Sequence, residues 1–236
     1  PKTVGIILNS PNNPTGAVQS ADDLRGIAAL AEAHDLWIIT DDIYSDLRYD
    51  DAPFASILRE RPDLRDRIIV VDGASKTYAM TGWRLGFTGA SPEIIDKMAT
   101  LQGQSTSNPT AFAQYGAVAA VSSDHKFLEH WLEAYDARRK RIVELLNAID
   151  GVTCAMPGGA FYVFPDARGL IGRRFGDRVI DSDLTLCQVL LDHALVACVP
   201  GEPFGAEGFM RLSYACSMDD IEQGVGRIAE LVARFE

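Results

Sequence analysis

Lys76 sits in small and apolar company, with Arg84 eight residues on, between the apolar run 68–71 and a second apolar run, Leu85-Gly86-Phe87. A lysine at the mouth of a buried strand loses hydration, which disfavours its ammonium and makes the amine a usable nucleophile. Schiff-base chemistry needs such an amine. Taken alone, Lys76 reads as a surface lysine at a strand end. Three other places hold chemically able groups. Asp41-Asp42-Ile43-Tyr44 follows the apolar run 36–40, where an acid serves equally as a helix cap or a solvated charge. Asn13 lies in the loop Asn9-Ser10-Pro11-Asn12-Asn13-Pro14-Thr15-Gly16, built from turn-forming residues. Arg211 alternates with its neighbours so as to share a face with Phe209 and Ser213. A buried arginine needs an anionic partner, and a structural carboxylate would serve.

Gly73-Ala74-Ser75-Lys76, followed by Ala79-Met80, Gly82 and Arg84-Leu85-Gly86, resembles the lysine signature of the class I aminotransferases, fold-type I enzymes that use pyridoxal 5'-phosphate (PLP). The resemblance implies that Lys76 carries PLP covalently and that Arg84 binds its phosphate. Residues 13–16, Asn-Pro-Thr-Gly, resemble the second signature of the family. By that likeness Asn13 reaches the cofactor's phenolic oxygen and the substrate carboxylate, and the Asn13–Pro14 peptide is cis. Asp41 is implied as partner of the pyridine nitrogen and Tyr44 as partner of the phenolic oxygen. A carboxylate there keeps the ring nitrogen protonated, so that the ring withdraws electrons from the substrate's α-carbon. Asp42 alternates to the opposite face. Arg211, in Arg211-Leu212-Ser213-Tyr214, is implied to fork onto the substrate α-carboxylate, a role that suits guanidinium geometry. One position departs from the pattern. Many members place a serine three residues before the lysine, and here Gly73 stands there, which shifts the phosphate onto Arg84 and backbone N–H groups.

The likeness is strongest to the bacterial aspartate aminotransferase branch. It implies transfer of an amino group from an L-amino acid, aspartate-like or aromatic, to a 2-oxo acid such as 2-oxoglutarate, by a cytoplasmic homodimer. No arginine occurs between residues 98 and 137, which leaves dicarboxylate specificity open. Another fold-type I activity, a β-lyase or decarboxylase, would use the same residues on a different bond. A catalytically incomplete fragment is the further alternative.

Other motifs fail. A P-loop needs glycine directly before Lys-Thr, and Ser75 occupies that place. Ser123 and Lys126 have Ser-x-x-Lys spacing, but no companion Ser-Asp-Asn or Lys-Thr-Gly exists, so Ser122 and Ser123 read as a helix N-cap. The glycine-rich 201–208 opens no helix and is not a dinucleotide motif. The net charge of −11, from 22 basic and 33 acidic residues, argues against nucleic acid or an anionic membrane as partner. No run of 18 apolar residues is present. The four cysteines and four histidines show no metal spacing, and the cysteines read as reduced, buried thiols of a cytosolic protein.

These groups require elements to hold them. The apolar runs 4–8, 36–40 and 68–71 predict buried strands, joined by a helix that Ser20 and Asp23 begin with a capping box. Strand, helix and strand over some forty residues predict a parallel βαβ unit, whose ligands lie at the carboxyl ends of strands. By the family likeness a fourth strand, 85–89, runs antiparallel. Helices are expected over 91–101, 109–121, 124–150, 184–194 and 218–236, strand material over 152–165, 195–199 and 209–215, and loop over 166–182. The fold class is α/β: a mainly parallel sheet with flanking helices over residues 1–124, the PLP-binding large domain, plus a smaller α+β domain over 125–236.

The chain begins with Pro1 and runs at once into strand pattern, which reads as a piece of a longer protein. Family members carry a preceding segment with further strands, the phosphate-cradling loop and a ring-stacking aromatic. The expectation is that these 236 residues alone bind PLP weakly and show no turnover.

Overall fold

The computed structural model describes residues 2–50 and 53–236. The chain divides into two compact units, Pro1–Asn12 with Ala17–Glu129 and Asn13–Gly16 with His130–Glu236. The division falls a few residues past position 125, and it assigns Asn13–Gly16 to the second unit. The amide groups of Gly158 and Gly159 both donate to the Gly16 carbonyl at 2.9 Å. That long-range pairing has no local sequence signal.

The first unit is α/β. Its strands β1 (Gly5–Asn9), β2 (Trp37–Asp41), β3 (Ile68–Gly73) and β4 (Gly86–Gly89) form one sheet in that order. The first three are parallel, and β4 is antiparallel to β3. Helix α1 (Ala21–Ala33) starts at the expected capping box: Asp23 N–H donates to Ser20 Oγ at 3.2 Å, and Ser20 N–H to Asp23 Oδ2 at 3.0 Å. Its Leu24, Ala28 and Ala31 recur at helical spacing and pack with Leu8, Ile38 and Ile68 of the sheet in one core. Ile38 is wholly buried, so truncating it to alanine would cost about 2–5 kcal/mol. The single turn α2 (Ile57–Glu60) and a 3₁₀ turn, Pro62–Arg67, close this core through Ile57 and Leu64.

The apolar runs are less buried than the sequence predicts. Val4 and Ile7 are 75% and 77% exposed. Among the described residues β1 is a sheet edge, and only its Leu8 face meets α1. Helices α3 (Pro92–Gly103) and α4 (Ala111–Val121) follow the sheet. Ser122 proves to be the C-cap of α4 and not an N-cap, and Asp124 Oδ1 instead accepts from Lys126 N–H at the start of α5 (Lys126–Asn147). The α5 helix stops short of Gly151, because the Asn147 side chain bonds both the N–H and the carbonyl of Cys154.

Beyond α5 the second unit runs β5 (Tyr162–Val163), β6 (Arg174–Phe175), β7 (Arg178–Val179), α6 (Asp183–Val189), β8 (Val199–Pro200), β9 (Met210–Ser213) and α7 (Met218–Val232). Strands β5, β9 and β8 form an antiparallel sheet with β9 in the middle. Four expectations are corrected here. Only Tyr162–Val163 of 152–165 is strand, since Gly158 and Gly159 spend their N–H groups on Gly16. The stretch 166–182 contains the β6–β7 hairpin, which turns at Gly176 with φ +58°. The helix over 184–194 is α6 followed by a π-helical turn, Leu190–Ala194, and Leu195 then takes a left-handed φ of +55°, which delays the strand to Val199. Cys198 and Cys216 are half-buried, unlike Cys154 and Cys187; all four thiols are free.

Among the described residues no helix is long and apolar enough to cross a membrane, and no group of three or more His, Cys, Asp or Glu side chains could hold a metal ion.

Candidate functional site

The first unit sets Asp41 at the last position of β2, and Tyr44 and Lys76 on the turns that leave β2 and β3. These strands are parallel neighbours in register, with Asp41 opposite Val71, so their carboxyl ends open at the same sheet edge. Asp41 is half-buried; its Oδ1 accepts from Ile43 N–H at 3.3 Å, and its carbonyl accepts from Asn9 Nδ2 at 3.0 Å. Asp42 turns inward. It is buried, takes the Thr40 hydroxyl at 2.6 Å, and burial pushes its carboxyl above the usual range. The acid left facing outward is Asp41. Tyr44 is buried on the tight turn after it, and the Lys76 ammonium lies 5.7 Å from the centre of the Tyr44 ring. The half-buried Lys76 therefore rests against a π-face.

Two neighbours shape the lysine loop. Gly73 pairs with Gly86 of the antiparallel β4, and a Cβ at Gly73 would sit 3.0 Å from the Leu85 carbonyl oxygen and 3.1 Å from the Gly86 Cα. The two backbones approach closely here, and a side chain at this position would crowd them. Asp72, one residue earlier, accepts from Gly73 N–H at 2.6 Å. Burial, with Asp42, Asp46 and Asp41 nearby, raises its carboxyl to about 6. Thr77 is buried just past the lysine and donates its hydroxyl to Asp46 at 3.2 Å.

Arg84 is exposed, holds a left-handed φ of +53° and donates Nη1 to the Thr81 carbonyl at 2.7 Å. With Gly82, Trp83, Thr106 and Asn108 it lines a concavity of about 390 Å³. In the second unit, Arg211 donates Nη1 to Asn13 Oδ1 at 2.8 Å. Asn13–Pro14 is cis, as the resemblance implies, and so is Ser10–Pro11. Arg211 is half-buried rather than buried, and its guanidinium lies over the rings of Tyr162 and Phe204. Neither ring is singled out by the sequence: Tyr162 lies in the aromatic run 161–164, which reads as strand, and Phe204 lies in the glycine-rich loop 201–208. The structure thus brings Lys76 onto Tyr44 and Arg211 onto Asn13, while Arg84 engages Thr81 and Asp41 engages Ile43 and Asn9.

The profile of the family described as aminotransferase class I and II matches residues 1–228. The chain belongs to this family. An aspartate/prephenate aminotransferase of Nitrosomonas europaea is 42% identical over 236 residues, covering 99% of this chain and 59% of that protein. An aspartate aminotransferase of Streptomyces avermitilis is 43% identical over 228 residues, covering 97% of this chain and 56% of its own length. The crystal structure of the Rhizobium meliloti aspartate aminotransferase superposes with a TM-score of 0.95 at 39% identity, over all of this chain and 60% of that one. The chain therefore spans somewhat over half the length of these relatives. All three are named aminotransferases, not β-lyases or decarboxylases.

Proposed function

We propose that the protein transfers an amino group from an L-amino acid, aspartate-like or aromatic, to a 2-oxo acid such as 2-oxoglutarate, using PLP held on Lys76. The carrying observation is the placement of Lys76 against the Tyr44 ring, on the loop that leaves β3 beside the Asp41 end of β2. The donor set fits the cofactor: a primary amine for its carbonyl carbon, an outward carboxylate for its ring nitrogen, a phenol for its phenolic oxygen and an arginine for its phosphate. When bound, PLP supplies an electron sink for the substrate's α-carbon.

The chain's own residues divide the remaining work. Lys76 would hold the cofactor and, with its amine free, would take and return the proton of the substrate's α-carbon as general base and acid. Asp41 keeps the pyridine nitrogen protonated, Tyr44 hydrogen-bonds the phenolic oxygen, and Arg84 neutralises the phosphate. Asn13 and Arg211 orient the substrate through its carboxylate. The first unit is on this reading the PLP-binding domain and the second the smaller, substrate-orienting one. A cytoplasmic homodimer belongs to the same reading. The free thiols support the compartment. Exposed Phe112, Tyr115 and Val118, spaced by three along α4, offer apolar surface for a second subunit.

Borohydride reduction of the PLP-loaded protein followed by peptide mapping tests the assignment, and label on Lys2, Lys97, Lys126 or Lys140 in place of Lys76 overturns it. Amino-donor turnover should require a 2-oxo acid; ammonia release without one would mark a lyase instead.

A further inference from the structure

Arg211 has a fixed neighbour and a movable one. Tyr162, whose ring centre lies 4.7 Å from the guanidinium carbon, is buried and locked into the sheet by its pairing with Ser213. Phe204, at 5.4 Å, belongs to no strand: it ends a 3₁₀ turn, Glu202–Phe204, in the glycine-rich loop 201–208, and is 37% exposed. A half-exposed ring on a loop holds one place only if the loop does. We propose that Phe204 is a positioning residue for Arg211 and that the buried carboxylate of Asp183 holds it there.

The loop is built for that task. Gly201 N–H donates to the Phe209 carbonyl at 2.8 Å, and the Gly201 carbonyl accepts from Phe204 at 2.8 Å and Ala206 at 3.1 Å. A Cβ at Gly201 would stand 2.1 Å from the Ala206 oxygen, so only glycine lets the loop fold this tightly. The Phe204 ring is braced edge-on by Phe164 at 6.0 Å, and Phe164 in turn stacks on Phe209 at 5.2 Å. The remaining tie is Asp183, whose Oδ2 accepts from Glu202 N–H at 2.8 Å, the first amide of the turn that carries Phe204. Asp183 is not required to cap α6, because Ser182 already accepts from Thr185 N–H at 3.2 Å. It is 3% exposed, and a carboxylate is buried at a cost unless hydrogen bonds repay it. The loop amide is such a bond.

Rings over a guanidinium engage its face and leave its N–H edge free for a carboxylate. Asn13 on Nη1 and the two rings together restrain the plane of Arg211. This inference rests on the reading that Arg211 orients the substrate carboxylate, and its test separates the two. The first readout is the Arg211 Nε–Hε resonance in the ¹⁵N-labelled protein, assigned by its loss in Arg211→Lys. Ring currents should displace it in the wild type, and Phe204→Leu and Asp183→Ala should both return it towards the ordinary arginine position. Phe204→Tyr, which keeps a ring, and Asp183→Asn, which keeps an acceptor for Glu202, should leave it in place. The second readout is kinetic, in the PLP-loaded protein. Phe204→Leu should raise KM for donor and acceptor by about 2- to 30-fold, the range a cation–π contact commands, with kcat within about twofold. An unmoved resonance in Phe204→Leu refutes the proposal, as does a fall in kcat and melting temperature at constant KM. If the full-length protein that contains this chain transaminates no donor while the resonance moves as stated, the positioning stands and the functional reading fails.

Discussion

The guanidinium of Arg211 donates to the amide oxygen of Asn13 at 2.8 Å, joining residues 198 positions apart. The bond takes one of five guanidinium N–H groups, so a bidentate pair of donors is left for a carboxylate. Arg211→Ala should therefore raise KM for amino donor and 2-oxo acid by about 10²-fold or more, the loss of a charge-assisted pair. The absorption band of the PLP-loaded protein should be unchanged, because Arg211 belongs to the second unit and Lys76 to the first. Disappearance of that band would contradict the division of labour.

Asp41→Asn isolates charge from structure. The variant's amide oxygen can still accept from Ile43 N–H, as the carboxylate does at 3.3 Å, so the turn into Tyr44 should survive. On the proposed reading, what is lost is the negative charge that would face the pyridine nitrogen. A fall in kcat of about 10²- to 10³-fold, with the melting temperature nearly constant, is the expected result. Asp42→Asn supplies the contrast, since Asp42 is buried and its carboxylate is taken up by the Thr40 hydroxyl. If Asp42→Asn lowers kcat more than Asp41→Asn does, the assignment of the two acids is reversed.

Local patterns carry most of the first unit and little of the second. Ser20 and Asp23 announce α1, and the apolar runs place β1 to β3, because caps and strand alternation depend on neighbours in sequence. Alternation sets Asp41 and Asp42 on opposite faces, and the family likeness is what selects Asp41. The second unit is decided by pairings at long range. Gly16 draws in Gly158 and Gly159, and the backbone between them and β5 has no strand partner pattern to read. Arg211 is legible as an arginine that needs company, but Tyr162 and Phe204 come to it from two separate loops or strands. The exposure of Val4 and Ile7 is likewise invisible to hydropathy, which reports what a residue prefers and not what covers it.

Gly73→Ser tests the crowding between β3 and β4. The added Cβ would approach the Leu85 oxygen to 3.0 Å, the Gly86 Cα to 3.1 Å and Ile43 Cδ1 to 3.2 Å. Ile43 can rotate away; the two backbone atoms must give by a few tenths of an ångström, which strains the strand pair. Destabilisation of about 1–3 kcal/mol is expected from such overpacking, read as a lower denaturant midpoint. A serine tolerated at no cost would mean that the glycine departs from the family pattern for some reason other than space.

Asp72 predicts the pH dependence of stability. Burial raises its carboxyl from an ordinary 3.8 to about 6, the charges of Asp42, Asp46 and Asp41 act in the same direction, and the Gly73 N–H at 2.6 Å acts against them. Between about pH 4 and 6 the folded chain keeps a proton that the unfolded chain has released. The unfolded state then binds fewer protons, so stability falls as pH rises through this interval and levels off above it. Asp72→Asn keeps an acceptor for Gly73 N–H and removes the ionisation. Its melting temperature should match the wild type near pH 4, exceed it progressively up to pH 6 and hold a constant lead above. Asp42, also raised by burial, contributes the same sign in both proteins and leaves a shared residual slope. Melting curves that run parallel from pH 4 to 7 would show that Asp72 titrates alike in the folded and unfolded chain.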